Sequence, residues 1–158
     1  MTEIKAPTLY GTDFPARPTI FLAGSIEMGA AVDWQKDFAE FLAEEECLLL
    51  NPRRDEWDPS WEQDITNDKY VEQVMWELRA MEDADLIVMY FAPSTKSPIT
   101  LLELGLNARE DKPLLVCCPD EFWRKGNVEI VCGRYDVPML PTLEHLKHAA
   151  RVFVRTFG

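Results

Sequence analysis

Short apolar runs alternate along the chain with amphipathic segments. The apolar runs lack polar alternation, which is typical of parallel strands that are covered on both faces. The strand candidates are Thr19–Ala23, Cys47–Leu50, Asp85–Phe91, Leu114–Cys118 and, more weakly, Val128–Cys132. Helices are predicted between them at about 30–45, 68–83, 98–109 and 140–155. In the second helix, apolar residues at three- and four-residue steps predict one apolar stripe: Val71, Val74, Met75, Leu78 and Met81.

This alternation of strands and helices predicts the fold class. We expect a flavodoxin-like α/β domain, with a doubly wound sheet of about five parallel strands and helices on both faces. Residues 1–18 contain three prolines and no sustained period, so they are predicted to form an extended N-terminal arm. The single domain then spans residues 19–158.

Length and charge narrow the class of ligand. A chain of 158 residues is long enough for one hydrophobic core. Its formal net charge of −12 repels polyphosphate over most of the surface, which argues against a nucleic-acid polymer as partner. A small ligand with one phosphate in a local basic pocket remains compatible with this charge.

Several familiar kinds of site are not predicted. The sequence has neither a GxGxxG nor a GxxxxGK[ST] motif, and we expect no cofactor. His145 and His148 are predicted to be exposed helix residues, without a metal site. The four cysteines lack CxxC spacing and are predicted to be reduced core residues. We expect a cytoplasmic protein with no membrane segment, because no basic leader and no run of about 18 apolar residues occurs.

The segment Ser97–Gly105 (SPITLLELG) carries the most chemical information. Serine followed by proline predicts a helix start, with the Ser97 hydroxyl capping free backbone N–H groups. Glu103 follows in the second turn, among leucines, where a buried ionised carboxylate is costly without partners. The alternative is that Thr100, Glu103, Asn107 and Glu110 form a solvated face.

The polar stretch Asn51–Asn67 follows the second predicted strand, and ligands bind beyond the carboxyl ends of strands in open α/β sheets. It is therefore a candidate wall of the site, or else a surface excursion. Trp57 and Trp61 are predicted either to stack on a base or to pack in the protein. Arg53 and Arg54 are predicted either to bind a 5′-phosphate or to pair with acidic neighbours, namely Asp55, Glu56 and Asp58.

Five ordered motifs resemble the nucleoside 2-deoxyribosyltransferase-like enzymes over about residues 19–132. They are IFLAGSIE, NPRR with a following tryptophan, WELRAMEDADLIVMYF, SPITLLELG and GNVEI. The resemblance implies that Glu103 is the nucleophile that attacks the anomeric carbon and forms a glycosyl-enzyme. It also implies that Glu77 contacts the base and assists its departure.

Other positions follow from the same resemblance. Gly24 and Ser25 match the loop that packs close to the ligand, and Ser97 matches a position at which nucleotide hydrolases carry serine. Asn127 matches an asparagine that reaches into the site of a neighbouring subunit, which implies a homo-oligomer with shared sites. One position departs from the pattern: Phe21 stands where transferases often have a tyrosine that orients the nucleophile. Tyr90, Ser25 and Asn127 are the candidate substitutes.

The chemistry requires two carboxyl groups in different states. Departure of a base from C1′ builds an oxocarbenium-like centre, which an ionised Glu103 can stabilise and capture, while a protonated Glu77 donates toward the base. The leading hypothesis is a nucleoside 2-deoxyribosyltransferase that exchanges bases, with slower hydrolysis as a side reaction. The alternatives are an N-glycosidase acting on nucleosides or nucleoside 5′-monophosphates, and a non-catalytic nucleotide-sensing module.

Overall fold

A computed structural model describes residues 1–11, 17–27 and 31–157. Its centre is a parallel sheet of six strands in the order β1-β3-β2-β4-β5-β6. The strands are β1 (Thr2–Lys5), β2 (Thr19–Gly24), β3 (Leu48–Asn51), β4 (Leu86–Tyr90), β5 (Leu114–Cys117) and β6 (Met139–Leu140). The helices are α1 (Trp34–Phe41), α2 (Asp68–Asp83), α3 (Pro98–Asn107), α4 (Lys125–Arg134) and α5 (Leu143–Thr156). The predicted flavodoxin-like α/β fold is confirmed.

The two faces of the sheet pack against different helices. On one face, residues of β2 and β4 such as Phe21 and Met89 form a core with α2, α3 and α4. On the other face, Leu22 and Val88 pack with α1 and α5. Because both faces are covered, the central strands are apolar throughout, as the sequence pattern predicted.

Two features of the strands differ from the sequence prediction. Residues Val128–Cys132 are not a strand but part of helix α4, whose buried residues Val128 and Cys132 lie four positions apart, one helical turn. The predicted N-terminal arm contains β1, which pairs with β3 in parallel. Residues 12–16 of that arm lie outside the described residues. β1 and β6 were not predicted because each contributes few apolar residues.

The apolar stripe predicted for α2 is only partly a core face. Trp76, Ala80 and Met81 are buried, but Met75 is exposed, and Val74 and Leu78 line a cavity described below. In the described part of the chain, no helix is long and apolar enough to cross a membrane. All four cysteines are free and buried, as predicted.

The strand order determines where a ligand can bind. From β2 the chain passes to β3 on one side, then returns through α2 to β4 on the other side of β2. Adjacent loops therefore diverge at the carboxyl ends of β2 and β4, which is the usual ligand position in such sheets. Gly24, Ser25 and the loop that leads to α3 lie at this end.

Candidate active site

A cavity of about 420 Å³ opens at this divergence point. It is lined by residues that follow β2 and β3 and by the facing sides of α2 and α3. Six of the eight predicted site residues line it: Gly24, Arg53, Trp57, Glu77, Ser97 and Glu103. Ser25 lies behind Ser97, and Asn127 lines a second pocket between α3 and α4.

Helix α3 buries its polar residues and exposes apolar ones. Thr100 and Glu103 are buried, with Glu103 only 7% exposed, whereas Leu102 is 60% exposed. Leu104 is buried as well, so α3 buries polar and apolar residues together, unlike an ordinary surface helix, whose buried face is apolar. The alternative of a solvated face around Glu103 is therefore wrong. Asn107 supports the position of α3 by donating to the Glu103 carbonyl and the Met81 sulfur.

Glu77 faces the same cavity from α2. The Gln73 side chain donates both to the carbonyl of Pro52, at 2.8 Å, and to Oε1 of Glu77, at 2.9 Å. Gln73 thereby ties Glu77 to the segment that follows β3. Burial raises the pKa of Glu77 to about 7, although the bond from Gln73 opposes this rise.

The two carboxyl groups influence each other. Burial raises the pKa of Glu103 well above its ordinary value, and the nearby charge of Glu77 raises it further. Two interacting acids lose their protons in separate steps that belong to the pair. The charge of one carboxylate therefore disfavours ionisation of the other. Such a pair can supply both a nucleophile and a proton donor.

Three hydroxyl groups form a compact cluster beneath the cavity. Ser25 Oγ lies 2.8 Å from Thr95 Oγ1 and 2.5 Å from Ser97 Oγ, and the latter two are 2.7 Å apart. Ser25 also accepts from the backbone N–H of Ala92. The predicted capping bond of Ser97 is wrong, because its hydroxyl is in this cluster and makes no cap bond to α3.

Glu27 instead bonds to the two residues that immediately precede α3. Its Oε1 accepts from the backbone N–H groups of Lys96 and Ser97, each at 2.7 Å. Both Glu27 and Ser97 have left-handed backbone conformations, with φ of 47° and 45°, which are costly for residues other than glycine. The start of α3 is thus held by a carboxylate that also lines the cavity.

Gly24 allows the close approach of β2 and β4 at the cavity. Its φ is 146°, and a Cβ at this position would lie 2.4 Å from the Tyr90 carbonyl oxygen and 2.9 Å from the Trp34 ring. No other residue fits there without a shift of the backbone. The following N–H, of Ser25, donates to the same Tyr90 oxygen.

The segment after β3 contributes a tryptophan and two arginines to the cavity. Trp57 lines it, and Trp61 packs against Trp57 with ring centroids 5.2 Å apart. Arg54 lies over the Trp61 ring and pairs with Glu72. Arg53 lies 3.6 Å from Asp33 and donates to the Ala31 carbonyl. Both arginines therefore pair with carboxylates, as one alternative predicted. The partners are Asp33 and Glu72, not the acidic residues that follow the arginines in the sequence.

None of the candidate substitutes for the missing tyrosine reaches Glu103 in one subunit. Phe21 lies fully buried on the face that packs with α3, whereas Tyr90 contacts Trp34 on the opposite face. Ser25 is engaged in the hydroxyl cluster. Across the described residues, no group donates a hydrogen bond to the Glu103 carboxylate.

Sequence reasoning missed five polar residues that line the cavity: Glu27, Gln63, Tyr70, Gln73 and Thr100. Glu27 lies within the motif IFLAGSIE, but only the folded chain brings it to Ser97, 70 positions away. Gln73 precedes Glu77 by one helical turn, a spacing that could have indicated a partner. His145 and His148 are exposed, as predicted. Within the described ranges, no group of three or more potential metal ligands occurs.

Comparisons with known proteins agree with the fold. Two solved structures match at 15% sequence identity, and each covers 85% of this chain. A conserved protein from Enterococcus faecalis V583 has a TM-score of 0.58 over 99% of its length, and a CMP N-glycosidase from Clostridium botulinum has 0.53 over 98%. At this identity the likeness establishes the fold alone. No curated protein matches the chain.

The family comparison is more specific. Residues 17–122 match the family described as nucleoside 2-deoxyribosyltransferase like. The matched range contains β2 to β5 and every residue that lines the cavity. The chain belongs to the nucleoside 2-deoxyribosyltransferase-like family.

Proposed function

We propose that the protein is a nucleoside 2-deoxyribosyltransferase. The observation that carries the proposal is that Glu77 and Glu103 share one cavity, with the pKa of each raised by burial. The first half-reaction requires the proton of the pair on Glu77 and the charge on Glu103, a distribution that the positive charge developing at C1′ favours. The Glu103 carboxylate bonds to C1′, the N-glycosidic bond breaks, and Glu77 gives its proton to the departing base. In the second, an incoming base attacks C1′, releases Glu103 and returns a proton to Glu77.

The surroundings of Glu103 fit this chemistry. A buried carboxylate without hydrogen-bond donors is destabilised, and a developing positive charge at C1′ relieves that destabilisation. Trp57 offers an aromatic face on which a base can stack. A base held there limits the access of water to C1′, which favours transfer over hydrolysis.

Completion of the site by a second copy is part of the proposal. Ile99, Leu102 and Leu106 line the cavity yet are half exposed or more, so its mouth is apolar and uncovered in one subunit. Large exposed apolar patches mark interaction surfaces. Asn127 lies outside this cavity, in the pocket formed by α3 and α4, so it can act on Glu103 only across a subunit boundary. A homo-oligomer would both cover the mouth and supply Asn127.

Hydrolysis is the second candidate. It is favoured by that same uncovered mouth, which leaves water free to reach C1′ unless a partner or a base covers it. The CMP N-glycosidase with the same fold is a hydrolase by its name, although its 15% identity carries no function to this chain.

The test supplies each of the four 2′-deoxynucleosides with a different free base. New nucleoside and free deoxyribose are then quantified by chromatography. Transfer predicts a new nucleoside, with free sugar formed more slowly when the acceptor is present. If free sugar forms at the same rate with and without acceptor and no new nucleoside appears, the activity is hydrolysis and transfer is contradicted. No turnover of any substrate contradicts both.

A further inference from the structure

The end of the cavity next to α3 already contains a fixed negative charge. Glu27 accepts from the backbone N–H groups of Lys96 and Ser97, which immediately precede α3, so its charge lies beside the positive end of the helix dipole. Both bonds go to Oε1. Within the described residues Oε2 accepts no hydrogen bond, so it remains available to a hydroxyl donor of a ligand.

The other charged groups around the cavity do not offset this charge. Its lining contains the carboxyls of Glu27, Glu77 and Glu103. The two lining arginines are each held by a carboxylate from outside the lining, Arg53 by Asp33 and Arg54 by Glu72. A phosphate, which carries ≈ −1.5 to −2 charges at pH 7, would therefore meet arginines whose positive charge is already balanced by carboxylates.

The proposed reaction determines which part of a nucleoside faces Glu27. C1′ lies at Glu103, and the base extends toward Glu77 on α2. The helix rises ~1.5 Å per residue, so Ser97 and Glu103 are separated by roughly 9 Å along α3. The pentose and its 5′ substituent extend along that distance toward Ser97 and Glu27, because the opposite end of the lining is the apolar Leu106.

We propose that Glu27 is a specificity-determining residue that selects substrates with an uncharged 5′-hydroxyl and rejects nucleoside 5′-monophosphates. The inference rests on the proposed function, since it uses the placement of C1′ at Glu103. The 5′-hydroxyl donates to Oε2 of Glu27, while a 5′-phosphate meets a carboxylate that already occupies the N-terminus of α3. The Glu27 side chain thus replaces the phosphate that a nucleotide-binding site would hold there.

The test measures binding without turnover. In a Glu103→Gln background, calorimetry determines the affinity for the four 2′-deoxynucleosides and for their 5′-monophosphates. The same measurements are made after Glu27→Gln, which removes the charge but keeps an oxygen that can accept from the backbone. Glu121→Gln is the matched control, because Glu121 is exposed and does not line the cavity. Thermal melting verifies that each variant is folded. If Glu27→Gln does not fold, the same binding measurements are made with Glu27→Ala.

For the best base, the nucleoside is expected to bind at least tenfold more tightly than its monophosphate. Glu27→Gln is expected to reduce that ratio at least fivefold, mainly by strengthening monophosphate binding, and Glu121→Gln is expected to leave it unchanged. Equal or tighter monophosphate binding in the Glu103→Gln background overturns the inference, as does a ratio that Glu27→Gln leaves unaltered. If neither class of ligand binds, the proposed function itself fails. The two failures are therefore distinguishable.

Discussion

At the scale of single residues, Glu103 is both the proposed nucleophile and a source of instability. Its carboxyl is buried among apolar neighbours, and no donor stabilises its ionised form within the described part of the chain. Residues with such strongly raised pKa values concentrate at functional sites. Activity and stability are therefore expected to respond in opposite directions when Glu103 is replaced.

The first prediction concerns turnover. Glu103→Gln and Glu103→Ala are expected to lower kcat by 10³-fold or more while the fold is retained, because no other described carboxylate lies at the proposed nucleophile position. With the wild-type protein, trapping by a 2-fluoro nucleoside followed by intact-mass and peptide measurement should place the sugar on Glu103. Wild-type turnover in a folded Glu103→Ala chain would falsify the assignment.

The second prediction concerns stability and pH. The pKa of Glu103 is higher in the folded protein than in the unfolded chain. Between these two pKa values the native state keeps a proton that the unfolded chain has lost, so the free energy of unfolding falls as pH rises. Glu103→Gln removes this penalty. At pH 8 the variant is expected to melt at a higher temperature than the wild type, by roughly 2–4 °C for each kcal/mol gained in the free energy of unfolding. The gain is expected to be smaller at pH 5.

The control for the stability measurement is Glu110→Gln. Glu110 lies just beyond α3 and is exposed, so its replacement removes a charge from the same region without touching the cavity. A gain in melting temperature that is equal at both pH values, or that Glu110→Gln reproduces, contradicts the explanation by a buried carboxyl.

At the scale of elements, helix α3 exposes apolar side chains at the mouth of the cavity. Ile99, Leu102 and Leu106 are half exposed or more, and they line the cavity together with Leu78 of α2. The sequence predicted a helix here but not which side of it is buried, since SPITLLELG is apolar almost all round. The burial of Glu103 instead of Leu102 follows from the position of α3 beside the cavity.

The third prediction follows from this exposed side of α3. Leu102→Lys is expected to shift the protein from oligomer to monomer, because a charge at a buried interface is costly. Sedimentation velocity measures the change. Val152→Lys is the matched control, since Val152 is 61% exposed on α5, on the opposite face of the sheet. A wild-type chain that is monomeric and fully active at the assay concentration contradicts the shared site.

The strands illustrate how far an apolar pattern predicts structure. Runs such as Ile87–Met89 are buried from both sides and so carry an unambiguous pattern. Val128–Cys132 has β-branched residues and was predicted to be a strand, yet it is helical, because only Val128 and Cys132 need to be buried. Short β-rich runs leave this ambiguity, which tertiary packing resolves.

At the scale of the whole molecule, the candidate site joins residues that are distant along the chain. The family motifs indicated Glu77, Ser97 and Glu103, and the fold places all three around one cavity. The bond between Glu27 and Ser97 and the position of Asn127 in a separate pocket could not be predicted, because neither leaves a local pattern. The apolar runs predicted the central strands, whereas contacts between distant segments left no pattern in the sequence.

The fourth prediction tests the shared site directly. Asn127→Ala and Glu103→Ala chains are expected to be inactive alone, and mixing them after dissociation should restore activity. In a hybrid dimer one of the two sites contains both intact residues, so random reassociation yields about a quarter of the wild-type activity. Mixing two separately prepared batches of Glu103→Ala is the control. Mixtures that stay inactive although hybrids form contradict the cross-subunit role of Asn127.

The N-terminal strand protects the sheet as well as extending it. β1 pairs along β3, whose residues Leu48, Leu49 and Leu50 are all fully buried. An uncovered apolar strand edge is a template for pairing between molecules. Proteolytic loss of Thr2–Lys5 would therefore convert β3 into an aggregation-prone edge, so clipped chains would be removed by precipitation instead of persisting as slightly less stable enzyme.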